Sequence, residues 1–156
     1  MKPRNRQKHR GRKESGTFTK LPHGIQDSPN WSLASGTSVK LLLDIARQYN
    51  GFNNGNLCAS MGVMKSRGWT SPEVLTWARR ELLHFGFIAE TKLGGFGLGP
   101  SLYAITWRPI DDCKGKHHCP ATKTASGAWK VPKPPFVRGK NHEPHTSSVL
   151  APIRDP

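Results

Sequence analysis

The stretch RRELLHFGFIAETKLGG, residues 79–95, changes local structure three times within seventeen residues. It continues a run of helix formers, breaks at Gly86, becomes strand-like over residues 87–93 and stops at Gly94-Gly95. A chain turns from helix to strand this abruptly only through a residue free to take left-handed backbone angles, which Gly86 supplies. The helix that Gly86 closes is well marked upstream. Ser71 suits its cap, Pro72 its first position, and Glu73 complements the positive end of the helix dipole. At about 100° per residue, Val74, Leu75, Ala78, Leu82 and Phe85 share one apolar arc. Glu73, Thr76, Trp77, Arg80 and His84 lie opposite.

Two further helices precede this one. Across residues 36–50, Val39, Leu42, Leu43, Ala46 and Tyr49 fall at helical spacing, and Asn50-Gly51 is a favoured stop. Leu57, Met61 and Met64, at i, i+4 and i+7, predict a short second helix with Lys65, Arg67 and Gly68 at its end. The motif DSPNW (27–31) predicts one turn of helix opened by Asp27 or Ser28 and Pro29. After residues 87–93 and the loop GGFGLGPS, the stretch LYAITW (102–107) alternates as a second strand, which makes a β-hairpin. The expected fold class is α+β: a winged helix-turn-helix of three helices and a hairpin wing, spanning residues 17–112.

The flanks differ in character. Residues 1–20 carry eight Lys/Arg against Glu14 alone, and residues 113–156 carry eight against two acids. Residues 21–112 are nearly balanced, with eight Lys/Arg and seven acids. Most of the net charge of +14 therefore sits on two cationic arms, which attract polyanions. Residues 1–16 lack periodicity and read as a disordered basic arm. Seven of the thirteen prolines lie beyond Cys113, so residues 113–156 read as a disordered Pro/Lys-rich tail. Pro132-x-x-Pro135 within it matches a polyproline docking pattern. No apolar run approaches the roughly 18 residues of a membrane span. The basic start is followed by no apolar h-region. Three cysteines, odd in number, favour a reducing compartment. The expected location is cytoplasmic and nucleoid-associated, with no membrane partner.

Residues 17–112 resemble the winged-helix proteins of bacteriophages, plasmids and integrated mobile elements. The resemblance rests on LPHGIQDSPNW, LLLDIARQYNGFNNGN, GFIAETKLGG and YAITW. It implies a winged helix-turn-helix that binds double-stranded DNA in transcription regulation or replication. A helix-turn-helix places its last helix in the major groove, N-terminal residues nearest the bases. On that geometry Ser71, Thr76 and Arg80 face base edges, and Arg79 suits a phosphate. Lys65 and Arg67 point to the backbone at the preceding turn, and Lys92 marks the wing edge. Arg4, Arg6, Arg10 and Arg12 would condense on phosphates from the arm. Glu73 and Glu81 offset Arg79 and Arg80, which leaves the helix itself neutral.

That neutrality supports an alternative, a winged-helix adaptor that binds a replication or transcription protein, or a second copy of the chain. Its tails would then add nonspecific DNA affinity. An RNA-binding reading lacks the aromatic strands it needs. CKGKHHC (113–119) is the one cluster of metal-ligand types. Cys113, His117, His118 and Cys119 suit zinc chemically, but structural zinc sites use two separated pairs and adjacent histidines diverge. No metal or other cofactor is expected. GGFGLG departs from the dinucleotide pattern and precedes a strand. No catalytic constellation appears, so an enzyme is not expected.

Overall fold

The computed structural model describes residues 16–139. Serine caps open three of its helices. Ser28, Ser35 and Ser71 accept the backbone N–H of Trp31, Ser38 and Val74, the bond that satisfies a helix's orphan first turn. The helices are α1 (His23–Gln26), α2 (Pro29–Leu33), α3 (Gly36–Ala46), α4 (Met61–Met64) and α5 (Pro72–His84). A 3-10 turn, Lys65–Arg67, extends α4. Three strands, β1 (Leu57–Cys58), β2 (Ile88–Lys92) and β3 (Leu102–Ile105), form an antiparallel sheet in the order β1-β3-β2. The described body is thus mixed α+β. None of its helices is long and apolar enough to cross a membrane.

The break after α5 is resolved by hydrogen bonding. Gly86 N donates to Leu83 O and Phe87 N to Leu82 O, with Gly86 at φ +73°. These two bonds use carbonyls of the last helical turn and turn the chain into β2. A Cβ on Gly86 would also lie 2.7 Å from the carbonyl oxygen of Ala128. Both the turn and the packing therefore require glycine here.

Leu41, Leu42, Ile45, Leu57, Met64, Leu75, Leu82, Phe85, Phe87 and Tyr103 fill the core between helices and sheet. Five expectations are corrected. Leu57 is not helical; it pairs with Tyr103 across β1 and β3. On α3 the buried stripe is Leu41, Leu42, Ile45 and Ala46, while Leu43 is exposed. That helix ends at Ala46, before Asn50. Val74 is only half-buried, at the margin of the apolar arc of α5. The fifth concerns the boundary at residue 112. Residues 113–139 pack on the body, so this part of the chain is no disordered tail.

That packing is built from side chains that meet backbone. Asn54, fully buried, accepts from Ile105 N and donates to the carbonyls of Ile105, Arg108 and Pro109. Asn54 N and Asp111 Oδ2 lie 2.8 Å apart, which holds the start of this segment. Further along, Thr122 N donates to Ile110 O and Gly127 N to Thr106 O. A register shift between Glu90 and Lys92 interrupts the β2–β3 ladder, and the Thr91 carbonyl there accepts from His118 N. The arm cations Arg4, Arg6, Arg10 and Arg12, and the tail beyond residue 139, lie outside the described residues.

Candidate nucleic-acid interface

Helix α5 carries the residues expected to meet DNA, and its charge is not distributed as its sequence suggests. Glu81 is buried, 4% exposed, and points away from solvent toward the start of α3. Its carboxylate accepts from Ser35 N at 2.6 Å, Ser35 Oγ at 2.9 Å and Ser38 Oγ at 2.7 Å. An anion at a helix N-terminus is favourably placed by the backbone dipoles and free N–H groups. Glu81 therefore offsets no surface arginine. The solvent side of α5 presents Arg79 and Arg80 against Glu73 alone, which corrects the neutral helix expected from the sequence.

The other predicted residues have distinct fates. Ser71 spends its hydroxyl on capping α5. It borders an open depression of about 380 Å³ where the first turns of α3 and α5 meet Lys40. Thr76 Oγ1 donates to Pro72 O of its own helix, 2.8 Å away. The Arg80 guanidinium stacks over the Trp77 ring, 5.1 Å from its centroid, which fixes a long side chain at the surface. Arg79 is half-buried on α5, near enough to Tyr103 of β3 for its charge to act there. Burial pushes the Tyr103 phenol above its ordinary pKa, and the nearby Arg79 charge works in the opposite direction. Lys65 is exposed, and Lys92 is half-buried on β2, an edge strand.

Arg67 is not a free cation. It pairs with Asp44 of α3 through Nε and NH2, at 3.1 and 3.0 Å. Asp44 also accepts from Lys40 Nζ at 2.7 Å and Trp69 Nε1 at 2.8 Å. Burial works to raise the Asp44 pKa, but the bonds from Lys40, Trp69 and Arg67 outweigh it and hold the carboxyl below its ordinary 3.8. The cluster ties the turn before α5 to α3. Because the folded pKa is lowered, its contribution is full above the ordinary value and lost as pH falls through the folded one. Thermal melts between pH 7 and pH 2 should show this loss below about pH 4. Asp44→Asn should remove that part of the profile; an unchanged profile would clear Asp44 of the role.

The second component of the surface is the segment 127–139, here termed the strap. Asn30, fully buried at α2, shares its amide between the carbonyls of Phe85, Trp129 and Val131 and accepts from Lys133 N. His84 Nε2 donates to Pro134 O at 2.7 Å. Phe136 meets the Trp77 ring edge-on at 6.4 Å and the His84 ring at 5.6 Å. The strap thus runs beside α5, in contact with Trp77 and His84 on one flank of its outward face. Within the polyproline pattern Pro132-x-x-Pro135, the Pro134 carbonyl is bonded to this chain's own helix.

No protein-family model, characterised protein or solved structure matches the chain.

The remaining candidates do not converge. His117 Nε2 donates to Asp111 O at 2.8 Å, Cys113 Sγ turns to Asn54 O and Cys119 Sγ to Thr91 O. Among the described residues no three His, Cys, Asp or Glu side chains come together as metal ligands. The loop between β2 and β3 leaves Leu93, Phe96 and Leu98 exposed. Two features were missed from sequence: the burial of Glu81 and the docking of the strap. Nothing local marks Ser35, Ser38 or Asn30 for these roles, which come from partners distant in sequence.

Proposed function

We propose that this chain is a sequence-specific double-stranded DNA-binding protein of winged-helix type, acting in transcription regulation or replication initiation. The reading is supported by the order α3, β1, α4, α5, β2, loop, β3 with its β1-β3-β2 sheet. The observation that carries it is the inward turn of Glu81, which leaves α5 with a cationic solvent face on a strongly basic chain. Ser71, Thr76 and Arg80 are the candidate base readers, and Arg79, Lys65 and Lys92 are candidate phosphate contacts. Arg67 would act chiefly as a brace for the turn. A second reading, an adaptor that docks another protein, is favoured by the uncharged loop with Leu93, Phe96 and Leu98 exposed.

The test begins with selection of bound fragments from random DNA, followed by titration of the preferred and random duplexes. Arg80→Ala should cost about 1–3 kcal/mol on the preferred site and much less on random DNA. Deleting residues 1–15 removes seven Lys/Arg and Glu14. If about half of those cations meet phosphates, the log–log salt slope should shrink by roughly 3, with affinity lost on both duplexes. Equal harm to both duplexes from Arg80→Ala would refute its role as a reader. Indifference of DNA binding to both changes would favour the adaptor.

A further inference from the structure

We infer that the strap is part of the DNA-binding surface, a phosphate-gripping track beside α5; this rests on the proposed function. The argument begins with charge. Residues 127–139 carry Lys130, Lys133 and Arg138 and no acid, and all three cations are exposed. Their backbone is held in place: Lys130 N donates to Gly127 O, Lys133 N to Asn30 Oδ1, and Pro134 O accepts from His84 on α5 itself. The backbone that carries Lys130 and Lys133 is therefore anchored beside the helix, and Arg138 follows two residues after Phe136.

Dimensions decide what they meet. The major groove is about 12 Å wide, and an α-helix with its side chains is about 10–12 Å across. One helix fills the groove, and no second segment fits beside it. With α5 in the groove, the strap lies over the groove wall, where the phosphates are. The same contact restricts base reading. Phe136 lies against Trp77 and His84, which leaves Ser71, Thr76 and Arg80 as the side chains of α5 that face the bases.

The experiment measures the salt dependence of the full chain on its preferred duplex, with a thermal melt of each variant. K130Q/K133Q/R138Q should lower the log–log slope by roughly 2–3, since each phosphate contact contributes about 0.9. Preference for the selected site over random DNA should persist. K130R/K133R/R138K, with the same charges, should retain the slope. K114Q/K116Q, which removes two cations outside the strap, should change it by less than about one. A slope unchanged by strap neutralisation, or tighter binding after it, would overturn the track while the unaltered chain still binds. An equal loss from K114Q/K116Q would reduce it to bulk charge and also overturn it. Failure of the unaltered chain to bind any duplex would remove the function itself, and the track with it.

Discussion

Leu82→Ala should lower the free energy of unfolding by about 2–5 kcal/mol. Leu82 is wholly buried at the centre of the apolar face of α5. Truncation would leave a cavity where α5 meets the core, and the cost combines lost transfer energy with the void that remains. The backbone at this position has a second duty, since Leu82 O accepts from Phe87 N in the turn that ends the helix. A substitution that leaves this bond intact isolates the packing contribution. Urea denaturation followed by circular dichroism would measure it. A change under about half a kcal/mol, the range of surface substitutions, would mean that this face of α5 is not the core.

Asn54→Ala is expected to cost about 3 kcal/mol or more, because each buried backbone group left without a partner costs roughly 1–3. The side chain serves one N–H and three carbonyls: Ile105 N and O, Arg108 O and Pro109 O. Hydrophobic replacement cannot satisfy them. Asn54→Asp keeps the size and the acceptor but loses the N–H donors, so it should also be destabilising. Denaturation of the two variants beside the parent tests the assignment. Near-parent stability in both would show that β3 and the turn after it need no anchor at this position.

Much of the chain's local structure could be read directly from its residues. Asp27 or Ser28 before Pro29, and Ser71 before Pro72, mark helix starts because a capping oxygen and a proline ring meet the specific needs of a helix N-terminus, and the structure uses Ser28 and Ser71. Gly86 marks the helix-to-strand turn because only glycine adopts its angles cheaply. Leu75, Ala78, Leu82 and Phe85 were placed in the core by spacing alone, and all four are buried. Val74 at the margin of that arc is half-buried, since an arc predicts a face but not its edge.

What tertiary structure decided has a common cause: a residue's partner lay far along the chain. Leu57 fits a helical spacing with Met61 and Met64, yet Tyr103 offers it a strand, and two residues of pairing suffice. Arg67 reads as a free helix-end cation until Asp44, on another helix, pairs with it. Glu81 appears to neutralise a surface until Ser35 and Ser38 turn it inward. The strap is the largest case. Proline-rich composition argues against a packed helix or strand, but prolines bring no N–H groups, so such a segment needs mainly its carbonyls satisfied. Asn30 and His84 do that from elsewhere in the fold. The sequence by itself therefore determined where α2 and α5 start, where α5 stops and which face of α5 is apolar. The tertiary structure decided the third strand, the charge that α5 presents and the position of the strap, because long-range polar pairing leaves no periodic trace.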